Sequence, residues 1–187
     1  MKRKEVTEAL TELLIRERLL DRKYFAKEVT LDYGTSHPKR VDVMEFKPNG
    51  VMSVSEIEKG IFVCYEIKSC YEDVYSGNGL NFYGEKNYIV ATMETYKRLQ
   101  EDMRNGKLEN HIKDFMGVSN CPHFGFIVPV PAAVDVRKTN EVFAEYENPT
   151  PFSGTGFKMH TIYPQPRENL RKRPMAELLF CMLRAKH

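Results

Sequence analysis

The stretch Ile61-Phe62-Val63-Cys64-Tyr65-Glu66-Ile67-Lys68 decides the fold of this chain. β-branched and aromatic residues dominate it, and such residues favour an extended strand. Apolar side chains occupy both of its alternating faces until the charged end, which is typical of a strand that is covered on both sides. The sequence therefore predicts a central strand, with Glu66 and Lys68 at its carboxyl end.

The segments around this strand predict one α/β sheet. Before it we expect a helix over Lys2–Leu20 and strands over Tyr24–Tyr33 and Arg40–Phe46, since their apolar residues follow helical and then alternating spacing. After it we expect strands over Asn87–Ala91 and Phe124–Val130, with a helix over Thr92–Met103 between them. This order predicts an antiparallel meander that leads into parallel strands of a mixed central sheet.

The length of 187 residues predicts a single domain. We expect its core over about residues 3–131 and a C-terminal extension over 132–187. The extension would carry a loop over Asn148–Gly156, an edge strand over Phe157–Tyr163 and a final helix over Pro174–Leu183. Pro174 suits the first turn of that helix.

Composition excludes several classes of protein. The chain is 42% hydrophobic and 29% charged, which argues against disorder. Its net charge of +2 is too small to indicate a nucleic-acid partner by itself. No signal-type apolar segment follows Met1, and no apolar run approaches the roughly 20 residues of a membrane span. We therefore expect a cytoplasmic protein without a membrane partner, whose four cysteines are free thiols. Cys121-Pro122-His123 lacks the paired spacing of a structural zinc site.

Three charged residues are predicted to converge on one side of the sheet. Glu66 and Lys68 are two residues apart on a strand, so they point to the same face. Asp42, between Val41 and Val43 on the preceding strand, joins them if the two strands pair as a hairpin. Two carboxylates at adjacent strand ends suit Mg²⁺ or Mn²⁺, and a neighbouring ammonium can stabilise charge that develops on a phosphate. The alternative is a surface Glu66–Lys68 pair and a structural Asp42.

The order Asp42…Glu66-Ile67-Lys68 resembles the signature of the PD-(D/E)XK nuclease superfamily, with Val41 where proline is common. The segment Glu66-Ile67-Lys68-Ser69-Cys70-Tyr71-Glu72-Asp73 is similar to one in the MmcB-like DNA repair family. The resemblance implies a restriction-endonuclease-like core with helices on both faces of the sheet. It also implies Asp42, Glu66 and Lys68 as catalytic residues, with Asp42 and Glu66 as ligands of Mg²⁺ or Mn²⁺. That family usually has a lysine soon after the Asp73 position, where this chain has Gly77-Asn78-Gly79.

Further residues are candidates for supporting roles. Several branches of the superfamily place a glutamate on the first helix, which suggests Glu8 or Glu12, although both also suit a solvated helix face. Lys86 is a candidate for contact with the scissile phosphate, or is an ordinary surface lysine. Ser69 and Asp73 are candidates for capping the segment that follows the central strand.

Contacts to DNA are expected from clustered cations and exposed aromatic rings. Phosphates attract basic clusters, and unpaired bases stack on aromatic side chains. The candidate cations lie at the start of the chain and before the final helix: Lys2, Arg3, Lys4, Arg167, Arg171, Lys172 and Arg173. The candidate rings are Tyr71, Tyr75, Phe82 and Tyr83, for which core packing is the alternative.

Three functional hypotheses remain open on the sequence. The first is a Mg²⁺-dependent endonuclease that acts on DNA in repair, recombination or a mobile element. A homodimer of such an enzyme would suit cleavage of both strands. The second is a catalytically inactive DNA-binding module on the same fold. The third is a structural or adaptor α/β protein in which the motif is a coincidence. Cleavage separates the first from the second, and binding of DNA and metal separates both from the third.

Overall fold

The computed structural model describes residues 2–21, 24–50, 53–144 and 156–185. Six strands are present in these ranges: β1 (Phe25–Leu31), β2 (Lys39–Lys47), β3 (Ile61–Lys68), β4 (Lys86–Ala91), β5 (Gly125–Pro131) and β6 (Phe157–Tyr163). The helices are α1 (Arg3–Leu14), α2 (Val54–Glu58), α3 (Tyr71–Val74), α4 (Met93–Arg104), α5 (Lys107–Met116), α6 (Thr139–Val142) and α7 (Met175–Arg184). A π-helical turn over Ile15–Leu19 continues α1.

The six strands form one mixed sheet in chain order. β1, β2 and β3 pair antiparallel, β4 and β5 follow in parallel, and β6 closes the edge antiparallel to β5. The α/β class, the antiparallel meander and the edge strand over Phe157–Tyr163 are thus confirmed.

Helices cover both faces of this sheet. On one face, Leu10 and Leu13 of α1 join the apolar cluster that contains Val63 and Tyr65 of β3. On the other face, α4 and α5 join the cluster that contains Ile89 of β4. β3 is buried from Phe62 to Lys68, because it lies inside the sheet and between these layers. Its charged end is therefore in the protein interior, where a charge is costly unless it is paired.

Some elements differ from the sequence-based expectations. The predicted first helix changes to a π-helical turn at Ile15, and α5 was not predicted at all. α5 begins after Gly106 and ends before Gly117, both with left-handed backbone angles that favour glycine. Most of the loop predicted over Asn148–Gly156 lies outside the described residues.

Among the described helices, none combines the length and the apolar character that crossing a bilayer requires. The final helix, predicted over Pro174–Leu183, is observed as Met175–Arg184 with Pro174 at its amino end.

Candidate metal centre and catalytic cavity

The hairpin of β2 and β3 brings Asp42 and Glu66 together. Val43 pairs with Tyr65, and the next step of this antiparallel register sets Asp42 opposite Glu66. The backbone N–H of Ile67 donates a hydrogen bond of 2.8 Å to Asp42 Oδ2, which holds the Asp42 carboxylate against the end of β3. The two carboxylates are thus neighbours on one face of the sheet.

Glu66 is buried with one of its two oxygens lacking a hydrogen bond. Its side chain is fully inaccessible, and Oε1 accepts a hydrogen bond of 3.0 Å from the backbone N–H of Asn81. Oε2 has no hydrogen-bond partner among the described residues. Burial raises the pKa of Glu66 well above its ordinary value, and the negative charge of Asp42 raises it further.

Asp42 has a similar but milder electrostatic environment. Burial raises the pKa of its carboxyl group, while the Ile67 N–H and the positive charge of Lys68 act in the opposite direction. Neither carboxylate is neutralised by the cations around it. The two carboxylates therefore repel each other when both are ionised, and a bound cation would reduce this repulsion.

Lys68 lies beside these carboxylates and is 3% exposed. Its Nζ donates hydrogen bonds to the backbone oxygen of Asn78 and, at 3.5 Å, to that of Asp73. The segment 77–81 thus contacts both charged residues at the end of β3. We call it the site loop.

Gly79 makes the closest approach of the site loop to the charged groups. It has a φ of +77°, and a Cβ atom placed on it would lie 2.7 Å from Lys68 Nζ and 3.0 Å from Glu66 Oε2. The backbone conformation therefore favours glycine here, and a larger residue would require the ends of the Lys68 and Glu66 side chains to shift. The adjacent Leu80 also has a positive φ, of 63°. Such an angle is unusual for a leucine, and the burial of the Leu80 side chain holds it. Asn81 ties the loop to β2 by donating from Nδ2 to the backbone oxygen of Arg40 at 2.8 Å.

Ser69 and Asp73 form the cap that the sequence suggested. Asp73 Oδ2 accepts hydrogen bonds from the Ser69 backbone N–H at 2.9 Å and from Ser69 Oγ at 2.8 Å. These bonds fix the turn between β3 and α3. Both residues therefore support the strand end on which Lys68 lies.

A cavity of about 580 Å³ opens at this end of the sheet. Its lining includes Asp42, Lys68 and Asp73, part of the site loop, and two cations of β2, Lys39 and Arg40. Glu66 is not among the lining residues, because Gly79 covers it from the cavity side. Sequence reasoning missed Lys39 and Arg40. The available signal was their position on the strand of Asp42, only two and three residues before it.

Three supporting candidates are not brought to the cavity. Glu8 is exposed and pairs with Lys4 at 3.7 Å, and Glu12 is also exposed, whereas Thr7 is the residue of α1 that lines the cavity. Lys86 pairs with Glu168 at 3.1 Å. In the parallel register of β3 and β4, Lys86 lies at the end of the sheet opposite to Lys68.

The C-terminal basic cluster is largely engaged within the protein. Arg171 Nε lies 2.9 Å from the buried carboxylate of Glu85. Arg173 lies 2.9 Å from Asp32 and 3.1 Å from Glu177. Arg167 and Lys172 are exposed, as are Lys2, Arg3 and Lys4. The structure thus gives Arg171 and Arg173 structural ion pairs in place of the free positions expected for DNA contacts.

The aromatic residues after β3 also have structural contacts. Tyr71 and Tyr75 donate hydrogen bonds to Asp102 Oδ2, at 2.6 and 2.5 Å. Phe82 is buried and packs against Phe124, with ring centroids 5.7 Å apart. Tyr83 is half-buried, with the guanidinium of Arg173 over its ring. The structure therefore favours core packing for Phe82, while the other three rings anchor α3 and the C-terminal segment.

The chemistry of Asp42 and Glu66 fits a hard divalent cation. Within the described ranges, no group of three or more His, Cys, Asp or Glu side chains has the arrangement of a metal site. Mg²⁺, however, is commonly held by only one or two carboxylates, with waters and substrate phosphates completing its shell. Without its cation, a carboxylate pair that can bind an ion is expected to have oxygens that lack hydrogen bonds and carboxyl groups with raised pKa values. The buried Glu66 Oε2 without a hydrogen bond and the raised pKa values of both carboxyl groups match this expectation.

Comparisons of this chain with protein-family models, with curated proteins and with solved structures found no match.

Proposed function

We propose that this protein is a Mg²⁺- or Mn²⁺-dependent phosphodiesterase that cleaves DNA in the cytoplasm. The proposal includes a restriction-endonuclease-like core and a role in repair, recombination or a mobile element. The observation that carries it is the Asp42–Glu66 pair across two strands, with Lys68 beside it and with Asp42 and Lys68 in the wall of a cavity.

A purely structural role explains this arrangement poorly. Burying a carboxylate without a full set of partners costs free energy, and a second carboxylate beside it adds repulsion. Residues that reduce stability in this way are typical of functional sites.

Each residue has a defined part in the proposed reaction. Asp42 and Glu66 would hold the ion, and Asn81 and Ile67 orient their carboxylates through backbone N–H groups. The bound ion would supply positive charge to the scissile phosphate and make water a better nucleophile at neutral pH. Lys68, whose ammonium is fixed by the Asn78 carbonyl, would stabilise the negative charge that develops on the phosphate oxygens.

The test is a cleavage panel with single-stranded, duplex, flap and four-way DNA, each with EDTA, Mg²⁺ or Mn²⁺. We expect metal-dependent cleavage by the wild type and none by Asp42→Asn, which keeps the acceptor oxygen but removes the charge. Lys59→Ala is the matched control, because it removes an exposed cation that does not line the cavity and that precedes β3 at the end of the sheet opposite to Lys68. Equal cleavage by wild type and Asp42→Asn would reject the assignment.

One observation favours a second candidate, an inactive DNA-binding module on the same fold. The site loop seals Glu66 from the cavity and ties Lys68 to a backbone carbonyl, so the charged groups are held in a closed arrangement. Binding of DNA with no cleavage under either metal would support this candidate. Absence of both binding and cleavage would leave only the structural or adaptor role.

A further inference from the structure

Lys39 and Arg40 line the same cavity as Asp42 and Lys68. Arg40 and Asp42 are two residues apart on β2, so their Cα atoms are separated by about 7 Å along one face of the strand. A positive wall therefore continues from the candidate metal centre along β2.

The charges of these two residues are available to a ligand. Arg40 pairs with Glu28 at 3.7 Å, but both side chains are exposed, at 59% and 45%. Exposed pairs of this kind contribute little. The Lys39 ammonium lies 5.0 Å from the ring centroid of Phe115, another residue of the cavity lining, which holds the lysine at the wall. Arg171, in contrast, is engaged with the buried Glu85.

The other polar residues of this wall are poor donors for an anion. Thr7 Oγ1 and Thr30 Oγ1 donate to the backbone oxygens of Arg3 and Glu28. Apart from Lys68, the charged donors that this wall presents beside Asp42 are the ammonium of Lys39 and the guanidinium of Arg40.

We propose that Lys39 and Arg40 form a subsite for the phosphate next to the scissile one, so that the cavity takes an oligonucleotide strand in preference to an isolated phosphodiester. This inference rests on the proposed function, because it takes Asp42 and Lys68 as the place of the scissile phosphate. Adjacent phosphates belong to a nucleic-acid strand, and a guanidinium is suited to bidentate contact with one of them.

The test combines Arg40→Gln and Lys39→Gln with a chemically altered strand. Two short oligonucleotides are prepared, each with one uncharged methylphosphonate. The methylphosphonate replaces the phosphate on one side of the central linkage in the first strand and the phosphate on the other side in the second. Binding is measured by fluorescence anisotropy in Ca²⁺, which suits oxygen ligands, at several salt concentrations. Lys59→Gln provides the matched control for loss of one exposed positive charge, because Lys59, like Arg40, has an exposed side chain that pairs with a nearby glutamate and does not line the cavity.

We expect each variant to bind the unmodified strand about tenfold more weakly, the low end for charge-assisted hydrogen bonds. The slope of log affinity against log salt should fall by about 0.7 for each lost phosphate contact on a single strand. One of the two methylphosphonate strands should abolish the difference between wild type and Arg40→Gln.

Three results would overturn the subsite. One is an equal loss of affinity in Lys59→Gln, which would indicate a general charge effect. Another is an affinity of Arg40→Gln that stays below that of the wild type for both methylphosphonate strands. The third is no measurable binding of the strand by the wild type. Failure of the proposed function is distinct, since it appears as absence of metal-dependent cleavage while the binding cycle can still be completed.

Discussion

The contrast between Gly79→Ala and Gly77→Ala tests how closely the site loop fits the charged groups. Both glycines have a φ of +77°, so each alanine has the same backbone cost, about 1–2 kcal/mol. For a chain of this size, that cost lowers the melting temperature by roughly 2–8 °C. The two positions differ in the space around them, because a Cβ atom at Gly77 would have no neighbouring atom within 4 Å.

At Gly79 the same Cβ atom would lie 2.7 Å from Lys68 Nζ, while ordinary contact begins at 3.4 Å. The ammonium must therefore move by about 0.7 Å, and a displacement of roughly 1 Å at a reacting centre can cost about 10²-fold in rate. We expect similar unfolding free energies for the two variants, with single-turnover cleavage reduced about 10²-fold in Gly79→Ala only. Equal cleavage by two folded variants would refute the assigned role of the loop and of Lys68.

Saturating Mg²⁺ should stabilise the wild type by about 1–3 kcal/mol, and Asp42→Asn should lose most of this gain in thermal unfolding. Folding raises the pKa values of Asp42 and Glu66, so their contribution to stability is present below the ordinary carboxyl pKa and is lost as pH rises through the folded values. Without metal, Asp42→Asn should therefore gain stability relative to wild type as pH rises above the ordinary carboxyl pKa of about 4. A difference that stays constant with pH would contradict the charge repulsion. Lys68→Ala should slow cleavage about 10²–10³-fold with DNA affinity nearly unchanged, and cleavage at the wild-type rate would make Lys68 a bystander. Arg171→Ala leaves the buried Glu85 carboxylate without its cation. It should destabilise the fold by about 3–5 kcal/mol in urea unfolding, and a change below about 0.5 kcal/mol would return Arg171 to the DNA-contact candidates.

The candidate site was largely predictable because it depends on strand periodicity. Glu66 and Lys68 share a face through a two-residue repeat, and Asp42 joins them through a local hairpin. The close fit of Gly79 was not predictable, since it depends on where the site loop folds back over β3. A motif shows which groups are present but not what covers them.

The prediction for the basic cluster was incomplete for a related reason. Arg173 pairs with Asp32, which lies 141 positions earlier in the sequence. The run of cations alone therefore does not show which carboxylates it contacts in the folded protein. α5 was missed although Leu108, Ile112 and Phe115 follow helical spacing. Its two glycine boundaries made a short helix look like part of an irregular connection.

The segment Gln165–Arg173 joins the strand ends that lie opposite the cavity. Gln165 accepts a hydrogen bond from the Asn87 N–H and donates one to the Glu85 carbonyl. Asn169 bonds to both Glu85 and His123. Arg171 contacts the Glu85 carboxylate and the carbonyl of Gly60. Synthesis from the amino terminus completes residues 42–81 long before this segment exists. The residues of the candidate site are therefore synthesised before the segment that closes the opposite end of the sheet. The backbone groups of Gly60, Glu85 and Asn87 gain these partners only when residues 165–173 emerge.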